Sequence, residues 1–125
     1  IKIEDIVKAI GVKHVYVIDP NNLKEVDDTL DTCLALDEPS VIITRWPCVL
    51  KKFSKEDKGE FINLFNTKNQ VDPEKCIGCK LCLKAGCPAM SYDKETKKVS
   101  INQAQCVGCD VCTQVCPKNA IVKED

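Results

Sequence analysis

Large side chains are scarce in this sequence. Aromatic residues make up 5% of it, and beyond Val71 the one aromatic left is Tyr92. A stretch of about 55 residues without large side chains cannot build an adequate hydrophobic core alone, so something other than apolar packing must hold it. Long apolar runs are missing too. Nothing approaches the ~18 consecutive apolar residues that a bilayer span requires. Nor is there an excess of charge of one sign: the net charge is −1 and the pI about 5.9, which argues against nucleic acid and anionic membrane as partners. The chain opens on an acidic amphipathic pattern with no secretory signal, so a cytoplasmic location is expected. The single histidine, His14, falls in an apolar strand-like segment and reads as a surface or satisfied histidine, not a ligand.

Cysteine is what the chain has in abundance: ten of 125 residues, the density of a disulfide scaffold or a metal protein. Without export, a reducing compartment favours metal over disulfides. Eight of the ten form two motifs, Cys76-x2-Cys79-x2-Cys82-x4-Cys87-Pro88 and Cys106-x2-Cys109-x2-Cys112-x3-Cys116-Pro117. The first three cysteines of each are offset by 30 residues, and Ile77-Gly78 matches Val107-Gly108, as Ala89-Met90 matches Ala120-Ile121 one residue out of phase. This is an internal duplication with pseudo-two-fold character.

Three cysteines at i, i+3 and i+6 wrap a loop around one corner of a cubane. A fourth ligand on the same short loop would be strained. In two-cluster ferredoxins the Cys before Pro ligates the other cluster. The expected sets are therefore Cys76, Cys79, Cys82 and Cys116 for one [4Fe–4S] cluster, and Cys106, Cys109, Cys112 and Cys87 for the other. Zinc is the bland alternative, but zinc ribbons use separated pairs, not back-to-back triads that end twice in Cys-Pro. Gly78 and Gly108 are expected to let the backbone approach the sulfurs, and nearby N–H groups to raise the potential. The x4 spacing, with Gly86 beside it, predicts a bulged loop before Cys87. Cys33 reads as core on a helix face, and Cys48, after Pro47, has no assigned role.

The first half has another character. Residues 1–70 carry a charge of −2 and residues 71–125 of +1. Ile3, Ile6, Val7 and Ile10 have helical spacing, with Gly11 as the stop. Val12–Ile18 reads as a buried strand. Asp19-Pro20-Asn21-Asn22 is a turn that offers an N-cap. Leu23, Val26, Leu30, Cys33 and Leu34 predict a helix through Leu36, and Val41–Thr44 a second strand, together a βαβ unit with parallel strands. One such unit cannot cover both faces of its sheet, and with Ile at position 1 the chain is expected to be part of something longer. Trp46 and Arg45, at a strand end, fit an interface or plain packing. Ser54 and Asp57 resemble a capping box for a short helix carrying Phe61, Leu64 and Phe65. Asp93–Lys98 reads as a solvated hairpin turn between Met90–Tyr92 and Val99–Ile101, its lysines also offering a dock for an acidic electron partner. The expected fold is an α/β portion (1–50), a linker with a short helix (51–70) and an α+β two-cluster ferredoxin-like domain (71–125).

The cysteine half resembles bacterial two-cluster ferredoxin domains. The segments I-E-D-I-V-K-A-I-G-V-K-H-V-Y-V-I-D-P, E-P-S-V-I-I-T-R-W-P-C-V-L and V-D-P-E-K-C-I-G-C-K-L-C, taken together, resemble the C-terminal end of the alpha subunit of indolepyruvate ferredoxin oxidoreductases. The x4 spacing in G-C-P-A fits that family. The resemblance implies a thiamine-diphosphate enzyme that oxidatively decarboxylates aryl 2-oxoacids with coenzyme A and passes electrons to external ferredoxin. Residues 1–50 would close its thiamine-binding βαβ domain, with a second subunit as partner, and residues 71–125 would be the electron exit. The family's Gly-Asp-Gly motif for diphosphate and Mg2+ does not occur here. No catalytic residue transfers, and this stretch alone is expected only to move electrons. A separate ferredoxin-like carrier, or the small subunit of another 2-oxoacid:ferredoxin oxidoreductase, is the alternative reading.

Overall fold

The computed structural model describes residues 1–48 and 67–123. They divide into two compact units, one ending at Cys48 and the other holding the described residues from 67 onward. The helix expected around Ser54–Phe65 lies outside the described residues.

In the first unit, helix α1 (Ile3–Ala9) ends as its glycine requires. Gly11 sits at φ +98, donates to Lys8 O at 3.0 Å, and Val12 N–H reaches back to Val7 O at 3.3 Å. This pair of bonds is a Schellman closure, in which a left-handed residue lets the orphan carbonyls of the last turn find donors. Strand β1 (His14–Ile18) follows. Asp19 Oδ1 accepts Asn21 N–H at 2.8 Å, a turn that delivers Asn22 as the N-cap of α2 (Leu23–Leu34), its side chain accepting from Glu25 N–H. Strand β2 (Ser40–Thr44) pairs with β1 in parallel, from His14 opposite Ser40 to Ile18 opposite Thr44. The βαβ connection is therefore present.

Burial is thinner than the apolar pattern predicts. Ile18 is the buried hydrophobic residue of this unit, while Ile3, Ile6 and Ile10 are exposed and Leu34 is 82% exposed. Thr29, not a leucine, is the buried position of α2. Strand β1, expected to be buried, is mostly half-buried, because a two-stranded sheet has no neighbour to cover its second face. One fully buried isoleucine contributes about 1.5–3 kcal/mol, against a backbone entropy cost of roughly 1–2 kcal/mol per ordered residue. Polar ties therefore matter here. Arg45 grips Glu4 with two bonds, of 3.2 and 2.6 Å, which fasten α1 to the end of β2. His14 Nε2 meets Glu38 at 2.9 Å, so this histidine has a partner.

The second unit contains two antiparallel ladders. Strand β3 (Asn69–Val71) pairs with β6 (Ile121–Lys123), and β4 (Met90–Asp93) with β5 (Lys98–Ile101). A 3-10 helix (Leu81–Ala85) and a short helix α3 (Val111–Gln114) occupy equivalent places after the second cysteine of each motif. Strand β3 takes in Asn69 and Gln70, residues that the composition assigns to the linker. The β4–β5 hairpin forms as expected, its turn held by Asp93, which accepts from Glu95 N–H at 2.9 Å and Thr96 Oγ1 at 2.8 Å.

The duplication is visible in the backbone. Gly78 and Gly108 have φ of +67 and +69, and the residues two places on, Lys80 and Asp110, have φ of +63 and +62. The turns leading in repeat too: Cys76 N–H donates to Asp72 O and Cys106 N–H to Asn102 O, each at 3.0 Å. Glycine at 78 answers to the hairpin more than to the sulfurs, because a Cβ there would lie 2.2 Å from Lys97 O. At Gly86 a Cβ would meet nothing within 4 Å.

Two outcomes follow. Gly86→Ala should cost about 1–2 kcal/mol, the price of a left-handed backbone with a Cβ, and Gly78→Ala distinctly more, since the hairpin must also move. Anaerobic denaturant titration compares the two, and equal losses would remove the Lys97 contact from the account. In the first unit Arg45 holds the Glu4 carboxyl down from 4.5 to about 2, chiefly through their hydrogen bond. A depressed carboxyl stabilises above its unfolded pKa and loses that contribution as it protonates. The stability gap between the parent and Arg45→Ala should therefore be full above pH 4.5 and close as pH falls towards 2, read by Trp46 fluorescence.

Candidate metal centres

The cysteines are carried to two places by the repeated loop. The first three of each motif lie on a left-handed turn and the helix after it, and the fourth follows the helix end. Cys76, Cys79, Cys82 and Cys116 line one cavity, with apolar walls from Val71, Val99 and Ile121. Cys76 and Cys82 are buried, Cys116 is intermediate and Cys79 exposed. Cys116, from the second motif, thus lines the same cavity as the triad of the first.

The same crossing appears electrostatically. Burial pushes the Cys82 thiol up, and the neighbours that add to the effect are Cys116, Cys79 and Cys76. For Cys112 burial pushes the thiol up to about 12, and its neighbours are Cys109, Cys106 and Cys87. Cys87, of the first motif, is therefore near enough to Cys112 to act on it, as Cys109 and Cys106 do. Cys33 is half-buried on α2, not core, and Cys48 is exposed; both belong to the first unit.

Gathered thiols in an apolar setting resist ionising unless a cationic group compensates. That donor chemistry fits an iron–sulfur core, which is held by four cysteine thiolates. The sulfurs surround a volume and do not converge on a point. Among the described residues no three His, Cys, Asp or Glu side chains gather closely enough for a single metal ion.

Hydrogen bonds to the sulfurs differ between the sets. Ala120 N–H donates to Cys116 Sγ at 3.3 Å, and Asn69 N–H to Cys106 Sγ at 3.5 Å. Asn69 adds its side chain. Nδ2 donates to Asp110 Oδ1 at 2.9 Å and points at Cys112 Sγ at 3.9 Å. Its backbone oxygen accepts from Gln103 Nε2 at 2.7 Å, and Asn69 is 1% exposed. Sequence reading leaves this residue in the linker. The 30-residue offset was the available signal, since it sets Asn69 equivalent to Val99.

Residues 69–123 match the family described as 4Fe-4S dicluster domain. The indolepyruvate oxidoreductase subunit IorA of Pyrococcus horikoshii is 38% identical over 98% of this chain, which spans 19% of that subunit. The IorA subunit of Thermococcus kodakarensis is 38% identical over 96% of the chain, spanning 18% of it. The crystal structure of ferredoxin I from Desulfovibrio africanus superposes with a TM-score of 0.42 at 26% identity, covering 47% of this chain and 97% of the ferredoxin.

Stripping iron from the anaerobic protein with a chelator should loosen residues 67–123 before residues 1–48, as read by hydrogen exchange, because the metal is folding energy for the cysteine unit. Simultaneous loss of protection in both units would contradict that order. Nearly all of the chain is thus similar to the C-terminal 19% of the IorA subunits, and its residues 69–123 are similar to 4Fe-4S dicluster domains.

Proposed function

We propose that the second unit conducts electrons as the exit end of a larger 2-oxoacid:ferredoxin oxidoreductase, with Cys76, Cys79, Cys82 and Cys116 ligating one [4Fe–4S] cluster and Cys106, Cys109, Cys112 and Cys87 the other. The observation that carries the proposal is the meeting of Cys116 with Cys76, Cys79 and Cys82 around one cavity. When bound, each cluster takes up and releases one electron at a time.

The residues of the chain hold and tune this site. The crossed cysteines bring the two sets close together, so an electron has a short path between them. Val71, Val99 and Ile121 keep water from one side of the first set. Main-chain N–H groups of Ala120 and Asn69 meet sulfurs directly. The thiol of Cys79, exposed at the surface, offers an edge for exchange with an external ferredoxin.

In the parent reaction a 2-oxoacid and coenzyme A give acyl-CoA, carbon dioxide, one proton and two electrons, and two one-electron centres suit that stoichiometry. Aryl 2-oxoacids such as indolepyruvate are the proposed substrates, after the name of the relatives. The proposal assigns thiamine diphosphate and Mg2+ to the rest of the enzyme, with a second subunit, because the sequence holds no Gly-Asp-Gly. The βαβ unit would then be an end portion of the thiamine-binding domain, and its exposed Ile3, Ile6, Ile10 and Leu34 are apolar surface that a neighbouring layer would cover. A free-standing ferredoxin-like carrier has no need of such a unit.

Anaerobically prepared protein should contain about eight iron and eight acid-labile sulfide per chain and show EPR signals on reduction. Cys116→Ser should perturb or remove one centre, whereas Cys33→Ser should change neither count. A colourless protein holding zinc would end the proposal.

A further inference from the structure

We propose that Asn69 sets the order in which the two centres accept electrons, its side-chain amide making the centre of Cys87, Cys106, Cys109 and Cys112 the more easily reduced. The inference rests on the two-cluster reading above. Reduction adds negative charge that spreads onto the sulfurs, so a donor aimed at a ligand sulfur stabilises the reduced form more than the oxidised form and raises the potential.

Main-chain donors serve both sets: Ala120 N–H meets Cys116 Sγ, and Asn69 N–H meets Cys106 Sγ. The side-chain position does not. In the duplication Asn69 and Val99 are equivalent, both buried, and Val99 lines the cavity of the first set. One set therefore faces an amide where the other faces a methyl pair. The amide cannot turn away, because Asp110 Oδ1 accepts from Nδ2 at 2.9 Å, and a flipped amide would put its oxygen against that carboxylate.

Charged side chains are the competing influence. Lys68 and Lys98 are equivalent in the duplication, and each bonds a main-chain oxygen of the unit, Gln103 O and Cys76 O respectively, so they do not separate the sets. Lys80 and Asp110 are also equivalent and oppose the proposed order by their charge. Asp110, however, is paired with Lys123 at 3.0 Å, and Lys80 is exposed with its ammonium 4.1 Å over the Tyr92 ring. Exposed charges are screened by salt, whereas a buried hydrogen bond is not.

EPR-monitored redox titration of the anaerobic holoprotein, at low and high ionic strength, tests this in the parent, Asn69→Leu and Val99→Asn. The parent should show two midpoints. Asn69→Leu should lower the upper one and leave the lower in place, with a shift that persists in high salt. Val99→Asn should raise the lower midpoint. Iron and sulfide counts come first: fewer than two clusters in the parent sinks the two-cluster reading and with it this one. Full counts with unmoved midpoints, or a fall of the lower midpoint in Asn69→Leu, overturn the role of Asn69 alone. Should Asn69→Leu not assemble, Val99→Asn decides, and a lower midpoint that stays put is the negative result.

Discussion

Each half of the duplicated unit is closed by atoms of the other half, and the rest of the unit depends on that exchange. Cys116 completes the ring begun by Cys76, Cys79 and Cys82, and Cys87 is among the neighbours of Cys112. The backbone crosses in the same sense. Asp72, ahead of the first motif, donates its N–H to Ala120 O at 2.7 Å, and Asn102, ahead of the second, donates to Ala89 O at 2.8 Å. The need is plain from the core, whose buried members are Cys76, Cys82, Val99, Cys112, Ala120 and Ile121. Half of these are proposed ligands. Small domains with so little apolar volume require staples, and here the proposed staple and the redox chemistry are the same bonds.

The first unit meets the same shortage without a cysteine motif, since Cys33 and Cys48 are isolated in its sequence. Its helices end properly, its strands pair and Arg45 clamps Glu4, yet Ile18 alone of its aliphatic side chains is buried and Ile3, Ile6, Ile10 and Leu34 are exposed. The proposed function gives these open apolar faces a neighbouring layer to pack against.

What could be read in advance followed from short-range chemistry. Gly11 after an apolar helical repeat and an N-cap in the turn before another are each decided by a few neighbouring atoms, and each is found as expected. Long-range partners are harder. The burial of β1 depends on which layers surround it, and the alternation of apolar residues is silent on that. Asn69 was hidden because a polar run, Thr67-Lys68-Asn69-Gln70, has the composition of a linker while Asn69 itself is 1% exposed. Its burial is stabilised by partners 34 to 41 residues away, Gln103 and Asp110. Gly78 was legible as a glycine that matters but not why, since the atom that excludes a side chain is a carbonyl on a distant hairpin.

The unequal spacings after the third cysteines show what the duplication must preserve. From Cys82 to Ala89 the chain takes seven steps, and from Cys112 to Ala120 eight. The first path runs through a 3-10 helix and a left-handed Gly86, and the second through a short α-helix and a left-handed Asn119. Both end on an alanine 2% exposed whose carbonyl takes the N–H from ahead of the opposite motif. The extra residue before Cys87 is more than offset after it, where two steps reach Ala89 against four from Cys116 to Ala120, and both crossings keep their closing hydrogen bond. Loop length is free to drift in such a unit, but the place where the chain re-enters the opposite ladder is not, because that is where the fourth cysteine and the closing hydrogen bond are delivered together.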